Sequence, residues 1–128
     1  VLNVDVTPTI LSLAGVDIPG RFQGKSLTAF YNNRPDEWRT GVFCEHRLEN
    51  NDLLPKTECY RDNTWKFIRY EDNPELIELY NFRDDVNETR NLAYEPEYSE
   101  KVEYYRHLCD SIAATLMAAR VENFRDTK

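Results

Sequence analysis

No long apolar run occurs anywhere in the chain. Its uninterrupted hydrophobic stretches are a few residues each, where a bilayer-spanning helix needs about 18 or more, so no membrane partner is expected. Glycine is scarce, with 4 residues beside 6 prolines, which excludes collagen-like and low-complexity classes. Three cysteines, Cys44, Cys59 and Cys109, stand too far apart for a Cys-x-x-Cys redox or zinc pattern, and an odd count does not read as a closed disulfide framework. One bridge plus a free thiol remains open beside the reading of buried free thiols. A Gly-x-Ser-x-Gly elbow, a phosphate-binding loop, a His-Glu-x-x-His pair and a dinucleotide fingerprint are all missing. The sole methionine is Met117 and the chain opens Val1-Leu2-Asn3-Val4-Asp5. A piece of a longer polypeptide is therefore expected, and the absence of a secretory signal leaves localisation open.

What is present is the composition of a folded domain. The 128 residues are 41% hydrophobic and 30% charged, enough to bury a core without staples. The net charge is −7, and it is lopsided: residues 1–56 hold 6 basic and 7 acidic side chains, residues 57–128 hold 10 and 16. Such a surface attracts no phosphate backbone, so nucleic acid is excluded as a partner. An anionic substrate would need a local basic pocket.

Periodicity divides the chain into a first segment, 1–35, and a larger part, 36–128. In the first, Leu2, Val4 and Val6 alternate with polar residues and predict a short extended piece. A short helix follows, capped by Thr7, with Pro8 in its first turn, Ile10, Leu11 and Ala14 at helical spacing, and Gly15 closing it. An irregular segment rich in turn residues follows. In the larger part, 41–45, 58–62, 64–70 and 77–82 read as strands, with Asp62-Asn63 as a tight turn whose residues tolerate positive φ. Tyr98, Val102, Tyr105, Cys109, Ile112 and Leu116 form a stripe over about five turns of helix. The fold class is α+β: a four-stranded antiparallel sheet packed by a long C-terminal helix, preceded by a short helix and an irregular segment.

Chemistry-bearing residues concentrate at the end of the first strand. Glu45, His46 and Arg47 follow Cys44, and strand alternation sets Glu45 and Arg47 on one face and Cys44 and His46 on the other. The functional reading is a polar cluster touching a ligand; the plainer one is a solvated strand end. Zinc is disfavoured, because no second ligand pair has suitable spacing. His107 reads as a partly exposed helical residue. Asn87-Glu88-Thr89 matches the short glycosylation pattern.

Four blocks in series carry a family resemblance. D-V-T-P-T-I-L-S-L-A-G-V at 5–16 and I-P-G-R-F-Q-G-K-S-L at 18–27 are followed by W-K-F-I-R-Y at 65–70 and E-L-Y-N-F-R-D-D-V-N-E-T-R-N-L-A at 78–93. Together they resemble the C-terminal subdomain of type I, formylglycine-dependent sulfatases of the alkaline phosphatase-like superfamily. Asn81 stands where that family usually has Asp, and Val86 where it usually has Pro. The resemblance implies that residues 1–35 continue from an N-terminal catalytic domain of the same polypeptide, absent here. That domain would hold calcium and the formylglycine nucleophile, matured within a Cys/Ser-x-Pro/Ala-x-Arg motif. None of the three cysteines stands in that motif, so no catalytic residue, cofactor or metal is expected within these 128 residues. The resemblance further implies a sulfated sugar as the parent's substrate, a secreted, periplasmic or lysosomal home for it, and Glu45, His46 and Arg47 as substrate contacts in one pocket wall. The competing readings are a non-catalytic partner- or carbohydrate-binding module and a piece of a phosphoesterase or phosphoethanolamine transferase.

Overall fold

The computed structural model describes residues 1–31, 38–47 and 54–125, with side chains described as far as 118. The chain divides into two compact units, Val1–Arg39 and Thr40–Lys128. The boundary expected between residues 35 and 36 lies outside the described residues.

The first unit is organised around one buried carboxylate. Asp5 is fully buried, and the chain that carries it is a 3₁₀ turn, Asn3–Asp5, where alternation predicted an extended piece. The reason is local: Asp5 accepts the Leu2 amide through its side chain at 2.8 Å and donates its own amide to the Leu2 carbonyl at 3.1 Å, which curls the backbone. Helix α1, Val6–Leu13, follows directly with Asp5 at its N-cap position, so Thr7 lies inside the helix. Its end matches the glycine signal. Gly15 takes φ +68°, and the amides of Gly15 and Val16 return to the carbonyls of Ser12 and Leu11, which satisfies two of the last carbonyls of the helix. Loop residues then fold back, with Lys25 N–H donating to Asp5 at 2.9 Å and Leu27 N–H to the Thr9 hydroxyl at 3.0 Å. Gly24 sits so close to the Val4 carbonyl that a Cβ would collide with it.

The second unit is a meander. Strands β1 (Gly41–His46), β2 (Thr57–Asp62), β3 (Trp65–Tyr70) and β4 (Ile77–Asn81) lie in the order β1-β2-β3-β4, each pair antiparallel. Directly paired residues share a face, so the register assigns both faces. One carries Phe43, Glu45, Glu58, Tyr60, Asp62, Trp65, Phe67, Arg69, Ile77 and Leu79; the other carries Val42, Cys44, His46, Cys59, Ile68, Glu78 and Tyr80. Helix α2, Ser99–Arg125, covers the first face. Phe67 and Leu79, opposite each other, reach zero exposure and cluster with Ile77, Leu92, Ala93 and the helix residues Val102, Tyr105 and Cys109. Burial of the stripe fades after Cys109, because a helix of 27 residues is about 40 Å long and outruns strands of five or six residues, about 20 Å at most.

One detail differs in mechanism from the sequence reading. The β2–β3 turn uses no positive φ: among the described non-glycine residues only Glu88 has one. Instead the Asp62 carboxylate accepts the Thr64 and Trp65 amides, each at 2.7 Å, and the buried Tyr105 hydroxyl at 2.6 Å. The turn is therefore held by a side chain that also ties the sheet to α2. At the other edge, the Asn-Leu-Ala block closes β4. Asn91 Oδ1 accepts the Leu79 amide at 3.0 Å, its Nδ2 donates to the Ile77 carbonyl at 3.0 Å, and Leu92 N–H reaches the Leu79 carbonyl at 2.9 Å. A row of edge groups that would otherwise invite pairing is thereby satisfied. Asn81, where the family pattern has Asp, donates from Nδ2 to Asp84 at 2.6 Å, a bond that an ionised Asp could not make.

Candidate functional site

The three residues singled out in the sequence end up on two sides of the sheet. Glu45 and Arg47 lie on the helix-covered face, and His46 faces the other way, with Nδ1 3.4 Å from the Pro55 carbonyl. Alternation alone requires this separation. The structure thus brings Glu45 and Arg47 together and does not bring His46 to them.

Arg47 is the centre of the cluster. Its guanidinium donates to Glu58 at 2.6 Å and lies 3.4 Å from Glu45 and 3.6 Å from Glu71. The hydrogen bond to Glu58, supported by the other two carboxylates, raises the pKa of Arg47 above its ordinary value. Glu58 is itself buried. Its second oxygen accepts a hydrogen bond from Arg69 Nε at 2.7 Å and lies 2.5 Å from Nη2, and Arg69 continues to Asp110 of α2 at 2.5 Å. A buried carboxylate is tolerable only when paired and hydrogen-bonded, and Glu58 meets that condition twice over. The line Arg47–Glu58–Arg69–Asp110 fixes the end of β1 relative to the helix.

Beside it opens a cavity of about 260 Å³ lined by Glu58, Arg69, Tyr70, Glu71, Pro74 and Arg106. Acidic groups outnumber basic ones around Arg47, so the cluster does not offer the surplus positive charge that a sulfate group needs. It can instead exchange hydrogen bonds with hydroxyl or amino groups. Among the described residues, no group of three or more His, Cys, Asp or Glu side chains is placed to hold a metal ion, and the acids described above are engaged by arginines or by the turn. Among those same residues, no helix is long and apolar enough to cross a membrane.

Sequence reasoning did not single out Glu58, Arg69 and Asp110. A signal existed, because Glu58-x-Tyr60-x-Asp62 and Phe67-x-Arg69 place charges on the core-facing side of predicted strands, where an unpaired charge is costly. Their pairing needed the register. The second missed constellation is Asp5 with Arg39, joined by bonds of 2.6 and 2.7 Å. Arg39 also lies 4.9 Å from the Trp38 ring, which meets Phe30 edge-on at 4.6 Å. With its carboxylate locked by two amides and a guanidinium, Asp5 is a structural anchor.

Comparison with known proteins is consistent with this geometry. The family described as "N-sulphoglucosamine sulphohydrolase, C-terminal" matches residues 1–115. The N-acetylglucosamine-6-O-sulfatase of Bacteroides thetaiotaomicron is 29% identical over 106 residues, covering 78% of this chain and 19% of that protein. A solved structure of a 2-O GAG sulfatase superposes with a TM-score of 0.76 at 26% identity, over 97% of this chain and 26% of that one. A second, in complex with its substrate D-glucosamine-2-N,6-O-disulfate, gives 0.75 at 26% identity, over 86% of this chain and 23% of the other. The chain therefore spans about a fifth to a quarter of the length of these relatives. The match runs through the anchored first unit, the meander and most of α2: the chain belongs to the N-sulphoglucosamine sulphohydrolase C-terminal family, the C-terminal subdomain of sulfatases.

Proposed function

We propose that these residues serve as the C-terminal supporting part of a sulfatase that hydrolyses sulfate esters of sulfated sugars, and that they are inactive alone. The observation that carries the reading is the family match over residues 1–115, reinforced by relatives that act on sulfated glucosamine. The residues present do not fit the two groups the family uses. No cysteine stands in the maturation motif, and no described cluster could hold calcium. Nucleophile and metal would belong to a separate catalytic domain of the same polypeptide.

In this reading Glu45 and Arg47 contribute one wall of the substrate pocket, and His46 a contact on the opposite face of the sheet. Arg47 would donate to sugar oxygens while Glu58, itself held by Arg69, keeps its guanidinium in place, and Glu45 would accept from a hydroxyl or amino group. The acidic surroundings of Arg47 suit a sugar's neutral or cationic positions, leaving the sulfate itself to basic groups elsewhere. The test uses the product of the complete reading frame. Arg47→Ala is expected to raise KM for a sulfated glucosamine more than it lowers kcat, with the melting temperature tracked in parallel. An unchanged kcat/KM in Arg47→Ala and His46→Ala would remove both residues from the pocket.

A further inference from the structure

Cys44 and Cys59 face each other directly across β1 and β2, on the sheet face that α2 leaves uncovered. The ladder fixes their relation further. Glu71 N–H donates to the Lys56 carbonyl, so 56/71, 58/69 and 60/67 are the hydrogen-bonded pairs of β2 and β3, and the backbone of Cys59 turns towards β1. Cys44 and Cys59 are thus a hydrogen-bonded pair, with Cα atoms about 5.5 Å apart, inside the range of about 4.4–6.8 Å that a disulfide spans. Both are free thiols; Cys44 is exposed and Cys59 half-buried, whereas Cys109 is buried in the core.

We infer that Cys44 and Cys59 form an oxidisable dithiol, a modification site for oxidants of the disulfide class such as glutathione disulfide. In the first step the Cys44 thiolate attacks one sulfur of the oxidant. A mixed disulfide forms and one glutathione thiolate leaves, taking up the proton that Cys44 released. Cys59 then loses its proton to solvent and attacks the Cys44 sulfur; the protein S–S bond forms and the second glutathione departs. Two protein thiols are oxidised by two electrons and one glutathione disulfide is reduced to two thiols. The order follows from access, since the reagent reaches exposed Cys44 first. Burial, the largest influence, pushes the Cys59 thiol up to about 11, so the closing step is the slow one. Side chains of a hydrogen-bonded pair stand farther apart than those of the alternate pair. Closure must draw the strands together, and the bond formed is readily reduced.

The test treats the 128-residue chain with glutathione disulfide, quenches with an alkylating reagent in denaturant, and reads intact mass and a proteolytic map. The expected product is two hydrogens lighter, carries one alkyl group on Cys109, joins the Cys44 and Cys59 peptides, and reverts with dithiothreitol. Cys59→Ser should stop at a glutathionyl adduct on Cys44, and Cys44→Ser should leave Cys59 largely alkylated. Full alkylation of Cys44 and Cys59 in the wild-type chain, a persistent wild-type glutathionyl adduct, or a bridge to Cys109 would each overturn the inference.

Discussion

Asp5→Ala is the sharpest perturbation of the first unit. The carboxylate is fully buried and accepts four bonds: two from Arg39 at 2.6 and 2.7 Å, one from Leu2 N–H at 2.8 Å and one from Lys25 N–H at 2.9 Å. Removing one partner of a buried pair costs about 3–5 kcal/mol. The Arg39 side chain keeps 18% exposure and can partly rehydrate, so the expected loss lies near the lower end, about 3 kcal/mol. Each unit carries a tryptophan, Trp38 in the first and Trp65 in the second. Urea unfolding in a Trp65→Phe background therefore reads the first unit. With a denaturant slope of about 1–3 kcal/mol/M, the Trp38 midpoint should fall by about 1–3 M. The pH dependence has a definite sign. The Arg39 hydrogen bonds outweigh burial and hold the Asp5 carboxyl well below the usual carboxylate range. Its contribution is therefore present above about pH 4, the unfolded value, and is lost as pH falls towards the folded one. That loss should vanish in Asp5→Ala. A change below about 0.5 kcal/mol, the size of an ordinary surface substitution, would refute the reasoning.

Three further outcomes follow from the packing. Gly24→Ala forces a Cβ onto the Val4 carbonyl and should destabilise the first unit by about 1–3 kcal/mol, seen as a lower midpoint in the Trp38 signal. Phe67→Ala empties the centre of the sheet–helix core, where Phe67 has no exposure and stacks 6.3 Å from Tyr105; a loss of about 3–5 kcal/mol is expected in the Trp65 signal. Tyr105→Phe removes the 2.6 Å bond to Asp62 and should cost about 1.5–3 kcal/mol. Trp65, at the turn that Asp62 holds, reports it in a Trp38→Phe background.

The strands, the meander order and the long helix were readable because their cues are local. Two-residue alternation, turn residues between runs, and a stripe at steps of three and four each need only a short window. The same two-residue period separates His46 from Glu45 and Arg47. What escaped depended on partners distant in sequence. Asp5, set among alternating valines, reads as the outward member of an extended piece; its burial makes sense only with Arg39, 34 residues away. Glu58 and Arg69 are neighbours only through the register of β2 and β3, which no short window of sequence contains. The Asp62 turn was located correctly, but its mechanism was not, because a side-chain acceptor can replace a positive φ without changing the residues one would choose for either.

The most direct measurement is sulfate release from a panel of sulfated sugars by the product of the complete reading frame, beside the same product lacking residues 40–128. The proposed supporting role predicts turnover of at least one of these sugars by the first product, none by the second, and none by the 128 residues alone. Sulfate release that is undiminished without residues 40–128, or a complete product that folds, carries the maturation motif and releases no sulfate from any sulfated sugar, would contradict it.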